Sequence, residues 1–139
     1  MKAKDYLQEI QVFFIYIEQK KRQLEEMRRM CTYLRGASIG TGSKNSNTSD
    51  GFTKASDKLL DLELDLTRKI EEYQLMKNER IEMIQSLSKP EYMEVLYKRY
   101  VEFKTFERVA YEMNYALNYI FKLHGSAIKE FEKRFSEGQ

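Results

Sequence analysis

Residues 97–131 read YKRYVEFKTFERVAYEMNYALNYIFKLHGSAIKEF, and their pattern decides the architecture. Thr105 follows Phe103 and Lys104 and is a residue type that caps a helix N-terminus by accepting a backbone N–H. Glu107 and Arg108 fall in the first turn behind it, and Val109, Ala110 and Met113 repeat at helical steps, which predicts a helix from Phe106 to Met113. Asn114-Tyr115 predicts a tight turn. A longer helix follows from about Ala116 to Phe135, with Ile120, Leu123, Ala127, Ile128 and Phe131 on its inward face. Small Ala110, three residues before Met113, lets two helices cross closely. A helix, a short turn and a second helix at this spacing form a helix-turn-helix, whose second helix enters the major groove of DNA.

Working outward, Tyr92 to about Val101 predicts one more short helix, with Met93, Leu96, Tyr97 and Tyr100 as its apolar positions. Lys89-Pro90 precedes it and marks a boundary, because proline disfavours helix in the residue before it. Upstream lie two long amphipathic stretches. From Ala3 to Leu34, Leu7, Ile10, Phe14, Ile17, Leu24 and Cys31 recur at steps close to a heptad, widened by Met27, Met30 and Leu34. From Ser56, read as an N-cap, to Leu87, a second stripe runs through Leu59, Leu62, Leu66, Ile70, Tyr73, Met76, Ile81, Ile84 and Leu87. Each helix would be nearly ~50 Å long and needs a partner for its stripe. Two such helices joined by a flexible connection predict an antiparallel hairpin. The expected organisation is a coiled-coil-like hairpin over residues 1–89, with a flexible loop over 36–55, and a helix-turn-helix over 90–139.

The connection contains GASIGTGSKNSNTSDG, from Gly36 to Gly51. A phosphate-cradling loop requires Gly-Lys-Ser/Thr between a strand and a helix. Here Ser43 separates Gly42 from Lys44 and no strand precedes them, so the stretch reads as a loop.

Composition agrees with an all-α chain. There is one proline, and Glu, Lys, Leu, Met, Gln and Arg dominate. No apolar run approaches the roughly 18 residues of a membrane span, so no membrane partner is expected. Asp5 and Glu9 stand where a signal peptide carries its basic and apolar regions, and the cytoplasm is the expected compartment. One cysteine, Cys31, excludes an internal disulfide or a cysteine-cluster zinc site, and one histidine, His124, removes most histidine-based metal and catalytic sites. Neither a cofactor, a metal nor an enzymatic activity is expected. The 24 basic residues face 22 acidic ones, so only local clustering can argue for nucleic acid.

The C-terminal stretch resembles region four of bacterial sigma factors and sigma-like phage regulators. Arg99, Tyr100, Thr105, Val109, Ala110, Met113, Ile120, Ala127 and Ile128 occupy the pattern positions. Over nearly its full length the chain is similar to the late-transcription regulators of phages of Gram-positive bacteria, of the RinA and ArpU kind. Lys4 to Ile10 resembles their opening, Asp57 to Glu63 their central motif, and Leu123, His124, Gly125 and Ala127 their ending.

The resemblance implies a phage- or prophage-encoded transcription regulator that binds double-stranded DNA upstream of late genes and contacts RNA polymerase. Carried over by position, Leu117, Asn118, Tyr119, Phe121 and Lys122 face the groove, with Asn118 suited to adenine edges and Lys122 to guanine or a phosphate. Lys98, Lys104 and Arg108 hold the backbone, and Arg99 either joins them or pairs internally with Glu102 or Glu112. The hairpin provides a surface for homodimerisation. This recognition helix departs from the family in being apolar and aromatic, ALNYIFKL, where Arg, Gln or Glu are usual. The alternative reading is therefore a phage structural or adaptor protein that uses the hairpin and a degenerate helix-turn-helix for protein contacts. His124, Cys31 and the seven methionines read as packing groups.

Overall fold

The computed structural model describes residues 2–40 and 46–136, and every regular element among them is helical. Helix α1 spans Ala3–Gly40, α2 Ser46–Gln85, α3 Pro90–Leu96, α4 Phe106–Met113 and α5 Leu117–Ser136. A π-helical turn, Tyr97–Val101, follows α3 directly. The all-α class holds, with a hairpin-like pair of long helices and a helix-turn-helix after it.

The chain divides into two compact units, Met1–Phe14 with Tyr73–Gln139, and Ile15–Glu72. Lys89-Pro90 lies inside the first of these units, at the start of α3 and beyond the end of α2 at Gln85. The first turns of α1 and the last turns of α2 belong with the C-terminal helices, because Leu7 and Ile10 are fully buried there and Tyr6 meets the Phe131 ring at 6.3 Å.

In the Ile15–Glu72 unit, Ile17, Leu24 and Cys31 are buried at steps of seven, the spacing of a coiled-coil seam. Leu66 and Ala55 are buried on α2. Lys20 meets Asp65 at 3.9 Å and Arg28 meets Glu63 at 3.4 Å, so the two helices run antiparallel.

The connection is shorter than the sequence suggests. The stretch read as a loop over 36–55 is helical up to Gly40 and again from Ser46, and residues 41–45 lie outside the described residues. Phe52, Ala55 and Leu59 extend the α2 stripe at steps of three and four, and Ala55 is buried. Against that burial, each Ser, Asn or Thr costs the helix at most about 0.7 kcal/mol relative to alanine. Ser56 is consequently inside α2 rather than its N-cap.

In the other unit, α1 and α2 are again antiparallel. The Tyr6 hydroxyl reaches the Met83 sulfur at 3.5 Å and Glu9 pairs with Arg80 at 3.0 Å. Arg80 is buried on a stripe otherwise made of apolar residues. Its guanidinium lies over the Tyr6 ring, 3.9 Å from the centroid, and its Nε has no hydrogen-bond partner. After α2, the Ser88 amide donates to Glu130 of α5 at 3.0 Å and the Ser88 hydroxyl donates to the same carboxylate. Pro90 then opens α3, where its missing N–H costs nothing.

The π-helical turn changes which residues face inward. A uniform α-helix over 92–101 puts Met93, Leu96, Tyr97 and Tyr100 inside. The structure buries Val95, Leu96, Tyr100 and Val101, while Met93 and Tyr97 are half-buried. The pairs 95/96 and 100/101 are five residues apart, and the Glu102 amide donates to the Tyr97 carbonyl at 3.0 Å, the i→i−5 bond of a π-turn. Phe103 follows at φ 60°, a left-handed conformation that costs a bulky residue about 1–2 kcal/mol. It is held there by packing on the Phe14 ring at 5.3 Å and by the Lys104 amide donating to the Lys98 carbonyl at 3.0 Å.

The helix-turn-helix forms where the sequence places it. The Thr105 hydroxyl oxygen accepts the Arg108 amide at 3.2 Å and caps α4. Asn114 closes α4 at φ 59°, with its amide donating to the Ala110 and Tyr111 carbonyls. Ile120, Leu123, Ala127, Ile128 and Phe131 of α5 are all buried, as their spacing predicts. Thr105→Ala leaves a first-turn amide without its side-chain acceptor. It is expected to lower stability by about 1 kcal/mol in urea denaturation, with the slope of the transition unchanged.

Candidate nucleic-acid interface

The buried face of α5 fixes what its opposite face presents. With Ile120 and Leu123 inward, Asn118, Tyr119, Phe121 and Lys122 are exposed and Leu117 is half-buried. Asn118, Phe121 and Lys122 therefore lie within about 100° of one another on the accessible side of α5, with Leu117 and Tyr119 at its two margins. The two aromatic ones are not free-standing. Phe121 packs edge-on against Phe106 of α4 at 5.1 Å. Tyr119 lies 4.6 Å from the Tyr115 ring and its hydroxyl donates to Glu91 at 3.2 Å. The Glu91 charge, then that hydrogen bond, raises the Tyr119 pKa, so the phenol stays protonated.

The residues expected to hold the DNA backbone are arranged differently. Lys98 and Lys104 reach the same Glu112 oxygen at 2.8 and 2.7 Å, and Arg108 Nε donates to the other oxygen at 2.7 Å. Glu94 and Glu102 add contacts to Lys98 and Lys104 at 3.7 and 3.1 Å. Three cations thus enclose one carboxylate. Hydrogen bonds from Lys104, then Lys98, lower the Glu112 pKa to about 2. The hydrogen bond to Glu112 raises the pKa of both lysines. Lys98 is turned inward, whereas Arg108 keeps most of its side chain in solvent and lies over the Tyr111 ring at 5.4 Å. Of the three, Arg108 is therefore the one placed to meet an outside anion. Arg99 pairs with neither Glu102 nor Glu112. It donates to the Lys104 carbonyl at 2.9 Å and stacks on Phe106 at 4.5 Å, bracing the segment between the π-turn and α4.

Sequence reasoning missed Glu112 as the centre of this cluster. Only the four-residue step from Arg108 to Glu112 was visible as a helical pair. Lys98 and Lys104 arrive through the π-turn and the left-handed Phe103, neither of which a periodic pattern announces.

Behind the exposed edge, His124 is buried and its Nε2 lies 2.7 Å from the Tyr100 hydroxyl. Phe106 meets the imidazole edge-on at 5.0 Å. Burial, reinforced by the Lys4 and Arg99 charges, lowers the His124 pKa to about 4, and burial raises that of Tyr100 to about 12. Both groups are neutral at pH 7 and tie the π-turn to α5. Among the described residues, no cluster of three or more His, Cys, Asp or Glu is placed to hold a metal, and no helix is long and apolar enough to cross a membrane. Comparisons with protein-family models, with curated proteins and with solved structures find no match to this chain.

Proposed function

We propose that this chain is a DNA-binding transcription regulator of phage late genes, acting in the host cytoplasm and meeting duplex DNA through α4, the turn and the first half of α5. The observation that carries the reading is the exposure of Asn118, Phe121 and Lys122 along one edge, with the rest of α5 anchored by its buried face. Asn118 is suited to the adenine edge, and Leu117 and Phe121 offer apolar contact to thymine methyl groups. Contact with RNA polymerase and pairing of two copies through the hairpin complete the proposal.

The test is a mobility shift on duplexes from the late-gene region at two salt concentrations. Binding falls steeply with salt, because displaced counterions drive it. Asn118→Ala lowers affinity for a preferred duplex by roughly 5- to 150-fold, the factor for losing one bidentate base contact, and leaves the melting temperature unchanged.

A second reading, an adaptor that docks on another protein, has its own support. Tyr111 is 75% exposed, and Tyr119 and Phe121 are exposed large side chains as well. It prevails if Asn118→Ala leaves DNA affinity unaltered while Tyr111→Ala and Phe121→Ala abolish capture of a protein partner.

A further inference from the structure

Between α3 and α5 lies a cleft of about 180 Å³. Tyr119, Lys122, Leu123 and Ser126 line it from α5, at the steps of three and four that share a helix face. Lys89, Glu91 and Tyr92 line the other side. Leu123 is the buried member of this lining, while Lys89, Lys122 and Ser126 are exposed. Unlike Lys98 and Lys104, neither Lys89 nor Lys122 has a carboxylate within 4 Å among the described residues, and Lys89 feels the Glu130 charge only at longer range. Lys89 rests against the Tyr92 ring, 5.4 Å from its centroid. The acid in the cleft, Glu91, is engaged by the Tyr119 hydroxyl at 3.2 Å.

Two ammonium groups outside any direct ion pair and a hydroxyl around a pocket of this size fit a tetrahedral oxyanion. The cleft also adjoins the Asn118–Phe121 edge, because Lys122 belongs to both. We propose that the cleft holds one backbone phosphate of the bound duplex, gripped by Lys89, Lys122 and Ser126. The inference rests on the duplex-binding reading and gives Lys122 a definite role, in which it positions α5 on the sugar-phosphate chain and does not read guanine. Contacts of this kind fix register and carry no sequence information. Glu91 sets the sign of a counter-test, since its charge opposes the phosphate while its hydrogen bond to Tyr119 survives conversion to the amide.

The experiment measures binding of the full chain to a duplex selected from a random pool and to a scrambled duplex, over a series of salt concentrations. Wild type is compared with Lys89→Ala, Lys122→Ala and Glu91→Gln. Both lysine variants are expected to weaken binding to the two duplexes by the same factor, and each to reduce the slope of log affinity against log salt by about 0.9. Glu91→Gln is expected to tighten both. A Lys122→Ala variant that changes the ratio between the duplexes overturns the proposal, because the lysine is then reading bases. So does a Lys89→Ala variant with wild-type affinity and slope, or a Glu91→Gln variant that binds more weakly. A wild-type chain that binds no duplex overturns the duplex-binding reading itself, whereas wild-type binding with an inert Lys89→Ala removes only the cleft.

Discussion

Phe131→Ala is expected to destabilise the chain by about 3–5 kcal/mol, the usual cost of emptying a buried phenylalanine site. Phe131 is the largest fully buried side chain among the described residues. Its ring contacts Tyr6 of α1 at 6.3 Å and Phe135 one turn further along α5 at 4.8 Å. Collapse around the vacated volume is resisted from several sides. Ala3 is tied to α5 through its amide, which donates to Glu132 at 3.2 Å, and Ile128 and Ala127 are themselves buried. Urea denaturation checks the value. A loss below about 1 kcal/mol would show that the Phe131 pocket is not the core that these contacts describe. Because small domains have only about 5–15 kcal/mol in hand, the variant is also expected to be partly unfolded at 37 °C.

The second large effect is acid destabilisation through His124. In the unfolded chain its ring takes up a proton near the ordinary value of 6.5, whereas in the folded chain burial holds the pKa at about 4. Between those values the unfolded state binds the proton and the folded state does not, so stability falls as the pH drops from about 7 to about 4 and levels off below the folded pKa. The full contribution is about 3 kcal/mol. Glu112 and Glu130, whose pKa values are lowered, also lose stabilisation in acid as protonation removes their hydrogen-bonded charges. The histidine is separated from them by comparing wild type with His124→Gln, which keeps a partner for Tyr100 and cannot titrate. The difference between unfolding free energies at pH 7 and pH 4 is expected to be smaller in the variant. Equal pH dependence in the two proteins would rule out His124 as the source.

The motif from Thr105 to Phe131 was legible because each local cue agreed with the tertiary environment. Thr105 had the capping side chain, Asn114 tolerates the left-handed region better than most residues, and the α5 apolar set lay on a single 3.6-residue face. Agreement failed where one residue broke the period. Val95 and Val101 were missed because burial at a five-residue step cannot be drawn on a straight α-helix. The predicted loop is longer than the observed connection because Gly, Ser and Asn content masks the stripe that Phe52, Ala55 and Leu59 continue. Arg80 was missed because a cation on an apolar stripe reads as a break in it, although stacking on Tyr6 and pairing with Glu9 make it a member. At the candidate interface, the exposed edge follows from the buried one and was legible. The enclosure of Glu112 by three cations depends on the π-turn and the left-handed Phe103, which spacing alone does not encode.

The wide turn at Tyr97–Val101 bears on how kinship to this chain is judged. At about 100° per residue, an ordinary helix would set Val95 and Tyr100 some 140° apart around the axis. The widened coil realigns them by accommodating one additional residue. A cousin with the same three-helix tail and an unbroken helix would be one position shorter between Leu96 and Thr105. An ungapped alignment of such a pair is correct on one side of that point and slipped by one on the other, hiding a common ancestry that superposed backbones would reveal.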